Sequence, residues 1–378
     1  MRRVLLLVSA TVLVDTMFFA AITPLLPAYQ DELGLSKTAA GLLSAAYPAG
    51  TLIASLPAGW LAGRIGAKQT TATGLALVAV TSVVFGHATS IELLDGARFV
   101  QGLGGACTWA GGLAWLIGVT PADRRGQTIG AALGAAVFGV LLGPVIGGAA
   151  TATSPQLVFS LVGALAVVLL AWAATTPGAA RRRQSSWREL ATALRARRLQ
   201  TAVWLFTLPA LFIGAVHVLV PLRLDDLGAR GLTIGALFVA AAGVEAALNP
   251  VMGRLSDDRG RLPLLRIGLI GAAAGAVLLP LPAGVWLLGA VLIAAVLALS
   301  FFWAPAAALL SDASESSGLD QGFAFGLMNL AWAAGQVLGG AGGGALADAT
   351  ADAVPYAILA LLCVLTLVAV RAGRRVRA

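Results

Sequence analysis

Four ionisable side chains, those of Asp15, Arg98, His217 and Glu245, lie within apolar stretches of the chain. Charged residues inside a membrane helix face the bundle interior or a water-filled cavity, and they mark ion and substrate pathways. A carboxylate in a poorly hydrated cavity takes up a proton more readily than one in water, and histidine titrates near neutral pH. We therefore predict a proton-coupling site with Asp15 and Glu245 as the favoured acids. Arg98 would be their counter-charge, and His217 is a further candidate.

Each of these residues also has a purely structural interpretation. Either acid could make a static hydrogen bond to a neighbouring helix, and His217 could line an outer vestibule. Arg98 could form an ion pair with Asp95, which lies three residues earlier. Depth favours a function for Asp15, which lies about eleven residues, or roughly 17 Å, into the first apolar run and hence near the bilayer midplane.

Polar and aromatic residues with helical spacing predict the wall of a substrate cavity. Asn329, Trp332 and Gln336 recur at intervals of three and four residues, which places them on one helix face. An amide stripe is costly against lipid, so we expect this face to line a cavity. Aromatic residues in other apolar runs complete the predicted substrate-binding set, although each could equally be core packing or an interface anchor. They are Phe18, Phe19, Tyr47 and Trp303.

The composition indicates that these residues belong to a membrane protein. Hydrophobic residues make up 59% of the 378 residues, charged residues make up 11%, and the mean hydropathy is +0.90. A soluble chain is about one-quarter charged. Most apolar runs reach the ~20 residues that a helix needs to cross a bilayer, and helices satisfy their own backbone hydrogen bonds in lipid. We predict an all-α membrane protein with twelve transmembrane helices, at roughly 4–27, 38–62, 70–88, 91–118, 127–150, 155–175, 201–222, 232–255, 264–280, 284–311, 322–347 and 353–370.

An internal repeat divides the predicted helices into two halves. Gly41 recurs 194 residues later as Gly235, and Gly139 recurs 196 residues later as Gly335. Repeated membrane halves form a site at their interface and rock about it. We therefore predict two pseudo-symmetric six-helix bundles joined by a basic cytoplasmic linker. The predicted boundaries are 1–175 for the N-terminal bundle, 176–200 for the linker and 201–378 for the C-terminal bundle.

The net charge of +8 follows membrane topology. All Lys and Arg residues except Lys37, Arg98, Arg223 and Arg230 lie at the termini or in the loops that follow the even-numbered predicted helices. This bias predicts a multi-pass plasma-membrane protein with both termini cytoplasmic, surrounded by lipid bilayer and without a nucleic-acid partner. The sequence has no nucleotide-binding loop, metal-ligand pattern or hydrolase triad. We therefore expect a monomer that is not an enzyme, has no metal or other cofactor, and uses a proton gradient.

Two glycine-rich loops carry a resemblance to a known family. Their residues are Gly59, Gly63, Arg64 and Gly66 in the first loop, and Gly253, Asp257, Arg259 and Gly260 in the second. Both loops resemble the signature that follows the second and eighth helices of the major facilitator superfamily. The resemblance implies a carboxylate that latches the cytoplasmic sides of the two halves together. Gly63 occupies its position in the first half, so we expect Asp257 to carry this closure.

Further elements resemble the drug:proton antiporters of that superfamily, especially the vesicular amine transporters. Arg98 begins an Arg-x-x-Gln-Gly-x-Gly-x-Ala element, and Asp15 lies nine residues before a Pro-x-x-Pro sequence. The fifth run contains Gly139-x-x-x-Gly143-Pro144, in which the glycines permit close helix contact and the proline removes a backbone donor. The resemblance covers the first half well, and the second half only through its loop and its glycine spacing.

These observations predict a secondary active transporter that works by alternating access. The favoured activity is proton-coupled efflux of small amphipathic or cationic organic compounds. One alternative is a facilitator or symporter of a sugar, an amino acid or another metabolite. An alternative of a different class is a non-transporting membrane sensor, which the intact loop and fifth-run signatures disfavour.

Overall fold

Long α-helices make up nearly all of the chain that the computed structural model describes, namely residues 1–121, 124–179, 187–319 and 321–375. Within these ranges the side chains of residues 125–127, 187, 249–250, 253–254, 257, 304, 321–325 and 372–375 are not described. The helices are α1 (Arg2–Ala20), α2 (Leu26–Leu33), α3 (Lys37–Arg64), α4 (Ala67–Gly86), α5 (Ile91–Val119), α6 (Arg125–Ala152), α7 (Pro155–Ala174), α8 (Trp187–Ala193), α9 (Arg197–Asp226), α10 (Gly231–Arg259), α11 (Arg261–Leu278), α12 (Val285–Ser316), α13 (Gln321–Ala349) and α14 (Ala353–Arg375).

The membrane-crossing segments correspond to the predicted apolar runs. Eleven helical segments of the described chain are long and apolar enough to cross a membrane. The first of them combines α1 and α2 over Arg2–Leu33, with a 3-10 turn at Thr23–Leu25 between the two helices. The eleventh predicted run corresponds to α13, and α8 lies in the predicted linker. The predicted fold class, an all-α membrane protein with twelve transmembrane helices, is confirmed.

The internal repeat appears as matched contacts within the two halves. A β-carbon at Gly143 of α6 would lie 2.8 Å from the carbonyl oxygen of Met17 in α1. A β-carbon at Gly339 of α13 would collide in the same way with the carbonyl oxygen of Leu211 in α9. Met17 and Leu211 are themselves 194 residues apart. The same backbone packing therefore occurs twice, whereas the predicted bundle boundaries stay a prediction.

The two halves meet along two helix pairs, α3 with α13 and α6 with α10. A β-carbon at Gly41 of α3 would lie 3.3 Å from the carbonyl carbon of Gly340 in α13. At the repeated position, a β-carbon at Gly235 of α10 would lie 2.8 Å from the carbonyl oxygen of Pro144 in α6. Small residues let helix backbones approach closely, so both crossings close the interface on either side of a central space.

The two ends of the bundle carry different connections. Arg3 donates to Thr175 Oγ1 at 2.9 Å, and Lys68 Nζ donates to the carbonyl oxygen of Ala174 at 2.8 Å. These bonds join the N-terminus, the α3–α4 loop and the end of α7, and we call this end the termini face. We call the opposite end, which carries the connections at 34–36 and 350–352, the far face.

The two signature loops lie at the termini face and have matched backbones. Gly66 has a φ of 106° and Gly260 has a φ of 81°, values that favour glycine because other residues meet steric strain there. Arg64 lies 4.9 Å from the ring of Trp60 in a cation–π contact, and Arg259 is exposed. A β-carbon at Gly59 would meet open space, and Gly63 is half-buried. The burial of Gly253 and the side chain of Asp257 lie outside what the structure describes.

Candidate functional site

A cavity of about 380 Å³ lies between the two halves. Helices α1, α3, α5 and α6 line it from the first half, and α9, α10, α12 and α13 line it from the second. In the described part of its wall, Glu245 is the one acidic residue, and no lysine or arginine is present. The wall is otherwise mainly apolar and aromatic, with rings from Phe19, Tyr47, Trp109, Phe206, Phe238, Trp303 and Trp332.

Glu245 reaches this wall from α10 and is half-buried there. A carboxylate in mainly apolar surroundings is stabilised by a bound proton or by a nearby cation, because its charge is poorly solvated. The described wall contains no lysine or arginine, so a proton or a cationic occupant of the cavity is well suited to neutralise this charge. This arrangement suits exchange of a proton for an organic cation.

Asp15 lies one layer behind the wall, with only 1% of its surface exposed. The hydroxyl of Tyr47 donates to Asp15 Oδ2 at 2.8 Å, and the indole Nε1 of Trp109 donates to the same oxygen at 3.1 Å. Asp15 Oδ1 is buried and has no hydrogen-bond partner among the described residues. Tyr47 and Trp109 both line the cavity. Their side chains therefore lie between Asp15 and any molecule bound in the cavity.

Arg98 is fully buried and binds the end of α1. Its Nη1 donates to the carbonyl oxygen of Phe18 at 3.2 Å and to Gln101 Oε1 at 2.9 Å, and its Nη2 donates to the carbonyl oxygen of Phe19 at 3.1 Å. Carbonyl groups in the last turn of a helix attract a cation, and the Phe18 carbonyl also accepts from the backbone N–H of Ala21 at 3.3 Å. Pro24 supplies no backbone N–H, so the helix breaks here and Arg98 stabilises the break.

The alternative pairing of Arg98 with Asp95 is wrong. No bond joins the two side chains among the described residues, and Asp95 Oδ1 is buried without a hydrogen-bond partner. The guanidinium instead lies 5.3 Å from the ring of Tyr47, which is bound to Asp15. Arg98 therefore lies one side chain removed from Asp15 and does not line the described cavity wall beside Glu245, and its role as a counter-charge stays a prediction.

Aromatic contacts connect the two halves across the cavity. Phe19 of α1 lies 5.1 Å from Tyr47 of α3 and 5.1 Å from Trp332 of α13, measured between ring centroids. His217 of α9 lies 6.4 Å from Phe19 and 5.8 Å from Phe238 of α10. Aromatic pairs at such distances attract one another. The predicted titratable residue His217 is thus part of the cavity wall.

The structure places six of the seven predicted substrate-binding residues in the cavity wall. They are Phe19, Tyr47, Trp303, Asn329, Trp332 and Gln336. Phe18 is the exception, and its prediction is wrong in placement: it is 1% exposed and packs in the first half, 5.6 Å from Phe85 and 5.0 Å from Phe159. Consecutive residues of a helix point about 100° apart, so Phe18 faces away from the cavity that Phe19 lines.

Trp109 is one of the site residues that the sequence predictions missed; Phe206 and Phe238 are others. Trp109 lies on the same face of α5 as Arg98, Gln101 and Gly105, at intervals of three to four residues. That spacing from the Arg-x-x-Gln-Gly element is the signal that could have identified it. Gly105 matters for the geometry, because a β-carbon there would collide with the Tyr47 hydroxyl and would lie 3.0 Å from Asp15 Oδ1.

The glycines of the fifth-run signature seat α6 against α1. β-Carbons at Gly139 and Gly147 would collide with Thr16 and with the carbonyl oxygen of Ala21, respectively. Gly143 lies between them and contacts the same helix. Pro144 lines the cavity. The signature thus fixes the helix that carries Asp15, at the point where that helix approaches its break.

At the far face, two carboxylates of the second half bind the first turn of α3. Asp348 accepts from the backbone N–H of Lys37 at 3.1 Å and from that of Thr38 at 2.6 Å. Lys37 Nζ forms an ion pair with Asp352 at 2.5 Å. Free N–H groups at a helix N-terminus bind anions well, so these contacts hold the two halves together at this face. The predicted latch at Asp257 lies outside the described residues.

Comparison with known proteins identifies the family. The sequence model of the Major Facilitator Superfamily matches residues 8–223 and 210–377. Quinolone resistance protein NorA of Staphylococcus aureus (strain MRSA252) is 30% identical over 149 residues, which cover 39% of this chain and 38% of that protein. Multidrug resistance protein 1 of Bacillus subtilis (strain 168) is 27% identical over 166 residues, 43% of each chain. These alignments span less than half the length of either relative.

Solved structures share the fold over nearly the whole chain. A bacterial homologue of the human lysosomal transporter Spinster, in an inward-facing and unoccupied conformation, has a TM-score of 0.80 at 15% identity and covers 98% of this chain and 95% of its own. The D-xylose–proton symporter has a TM-score of 0.73 at 18% identity, with coverages of 97% and 96%. At these identities the likeness shows the fold alone.

Proposed function

This chain belongs to the Major Facilitator Superfamily and is a multi-pass membrane transporter rather than an enzyme, and we propose that it exports small amphipathic organic cations in exchange for protons. The observation that carries the proposal is the cavity itself. Its described wall combines many aromatic rings with one carboxylate, Glu245, and contains no lysine or arginine. Aromatic faces attract organic cations, and a carboxylate provides the charge that selects them.

In this proposal Glu245 holds either a proton or the cation. Both cannot be held at full strength, because a protonated carboxyl no longer carries the negative charge that attracts the cation. Binding of substrate from one side therefore releases the proton, and binding of a proton from the other side releases the substrate. Asp15 is a second acid in the coupling and acts from behind the wall.

Drug efflux as the direction and substrate class is supported by the partial relatives. Both are resistance proteins by name, one for quinolones and one for multiple drugs. We further propose that the termini face is cytoplasmic, because the basic residues concentrate in the loops of that face. The proposed setting is the plasma membrane, and the proposed working unit is a monomer that uses a proton gradient and no other cofactor.

The test is flux into proteoliposomes with and without an imposed pH gradient, with ethidium as the cation. We expect ethidium to move against its concentration gradient only when protons move in the opposite direction. Glu245→Gln should abolish this uphill movement, whereas Glu92→Gln, which changes an exposed glutamate on α5, should retain it. Uphill ethidium movement that survives Glu245→Gln would contradict proton exchange at Glu245.

A second candidate function rests on the amides of the cavity. Asn329 and Gln336 lie in the wall on one face of α13, and amides bind sugar or nucleoside hydroxyls by donating and accepting hydrogen bonds. A facilitator or symporter of a hydroxylated metabolite would use them. The same vesicles distinguish the two functions, since equilibration of xylose or uridine without ethidium movement would favour this second candidate.

A further inference from the structure

Asp15 is separated from the cavity by two side chains that bind the same oxygen atom. Tyr47 and Trp109 come from different helices, α3 and α5, and their donors converge on Oδ2 at 2.8 Å and 3.1 Å. Both rings also form part of the cavity wall. An occupant of the cavity therefore contacts these rings, while the carboxylate behind them is 1% exposed.

The other oxygen of Asp15 is in a different situation. Oδ1 is buried and has no hydrogen-bond partner among the described residues, and it lies against the glycine surface at Gly105. With both donors on Oδ2, a proton on the carboxyl group would reside on Oδ1 and would find no acceptor. An unpaired buried Oδ1 is costly whether the carboxyl group is charged or protonated, so the balance depends on the two donors on Oδ2, which stabilise the charged form.

The two donors are also connected to the second half of the protein. The Tyr47 ring lies 5.1 Å from Phe19, and Phe19 lies 5.1 Å from Trp332 of α13. A molecule that occupies the cavity packs against this row of rings. These contacts connect Trp332 of the second half, through Phe19 and Tyr47, with the carboxylate of Asp15.

We propose that Tyr47 and Trp109 are positioning residues that couple occupancy of the cavity to ionisation of Asp15; this inference rests on the proposed proton exchange. An occupant packed against the two rings holds both donors on Oδ2, and Asp15 releases its proton from Oδ1 to solvent and keeps the bonding electrons as a carboxylate. When the cavity empties, the rings are free to leave Oδ2, and the proton returns. The direction, substrate in and proton out, is that of an exchanger.

The charged and titratable groups around Asp15 are few. Within the described chain they are Tyr47 from α3 and Arg98 from α5, whose guanidinium lies 5.3 Å from the Tyr47 ring. Arg98 also binds the carbonyl groups of Phe18 and Phe19, so its charge stays in place whether or not the cavity is filled. The two donors on Oδ2 are therefore the variable part of the site.

Infrared titration of the purified protein tests this inference without any transport. The carboxyl C=O band that is missing from Asp15→Asn reports protonation of Asp15. Trp109→Phe keeps an aromatic ring but removes the N–H donor, and we expect it to move the midpoint of this band to higher pH by about one unit, the worth of one hydrogen bond to a charged group. Trp204→Phe is the matched control, because Trp204 likewise donates its indole N–H, to Thr366 Oγ1 at 3.0 Å, but does not line the described cavity wall; it should leave the midpoint unchanged.

Addition of ethidium then tests the coupling. We expect ethidium to move the midpoint to lower pH in the native protein and in Trp204→Phe, and by much less in Trp109→Phe and in the Tyr47→Phe, Trp109→Phe double variant. Equal shifts in all of them would mean that the cation acts directly by its charge, and would overturn the inference. If Trp109→Phe does not fold, Tyr47→Phe, which removes only the hydroxyl, takes its place in both measurements.

The outcomes separate this inference from the proposed function. An Asp15 midpoint that is unmoved by loss of either donor would overturn the positioning role and would leave proton exchange at Glu245 untouched. Absence of ethidium–proton exchange by the native protein in vesicles would instead contradict the proposed function, and the infrared band would still report on Tyr47 and Trp109.

Discussion

The two halves of this transporter share a backbone plan but place their buried acids in opposite surroundings. Glu245 of the second half lies in the cavity wall, whereas Asp15 of the first half lies behind it and is held by two donors. Neither acid is repeated, because the positions 194 residues away hold Thr51 and Pro209. The symmetric part of the molecule is thus the helix packing, and the asymmetric part is the placement of the two acids that we propose couple transport to protons.

The glycine contacts test the symmetric part, and they have the largest expected effect. Gly143→Leu places a side chain where α6 meets α1, and Gly339→Leu does the same where α13 meets α9. We expect both to abolish transport while the protein still inserts in the membrane, since backbone contacts of this kind cannot admit a leucine. Gly134→Leu, at an open position of α6, is the control. Ethidium flux in vesicles of equal protein content is the measurement, and normal flux in Gly143→Leu would remove a main reason for proposing antiport.

Glu245→Gln tests the acid that lies in the cavity wall. Because it removes the one carboxylate of the described wall, we expect ethidium affinity to fall about tenfold to hundredfold, the worth of one contact to a charged group. The dependence of that affinity on pH should disappear with it. Equilibrium binding of ethidium between pH 5 and pH 9 measures both. An unchanged, still pH-dependent affinity would show that cation and proton do not compete at this residue.

Asp15→Asn tests the shielded acid, with a smaller effect on binding. Asparagine keeps the size of the side chain and an acceptor for Tyr47, so ethidium affinity should stay within about threefold of the native value, less than the loss of one charged contact. Uphill, gradient-driven movement should nevertheless be lost while equilibrium exchange of ethidium persists, because exchange needs no net proton movement. If Asp15→Asn and Glu245→Gln behave alike, the two acids share the coupled protons. Full gradient coupling in the double variant would exclude both and make His217 the next candidate.

Asp348→Asn tests the contact between the halves at the far face and has the smallest expected effect. Amide oxygens accept less strongly than a carboxylate at a helix N-terminus, and loss of about 1 kcal/mol of capping should open this face about fivefold more often. Thiol labelling of a cysteine introduced by His217→Cys measures the change, with Glu92→Gln as the control.

Asp257→Asn should have the opposite effect and increase labelling from the termini face. Unchanged labelling in either variant would place the corresponding latch elsewhere.

The sequence determined the helices and much of the cavity wall. Hydropathy, helix length and the glycine repeat are local quantities, so they identified the membrane helices and indicated the two halves. Spacing along one helix was sufficient to predict that Asn329, Trp332 and Gln336 share a face, and all three line the cavity. The exclusion of charge from lipid likewise singled out Asp15 and Glu245 as residues that need an explanation.

Only the tertiary structure decided which of these residues meet. Phe18 and Phe19 are adjacent residues of the same type, so the sequence does not distinguish them. The orientation of α1 relative to its neighbours places Phe18 in the core and Phe19 in the cavity wall. Arg98 binds carbonyl groups about 80 residues away, and Asp348 binds the first turn of α3 about 310 residues away. Such partners depend on how helices are placed in three dimensions, and no periodicity within one helix records that placement.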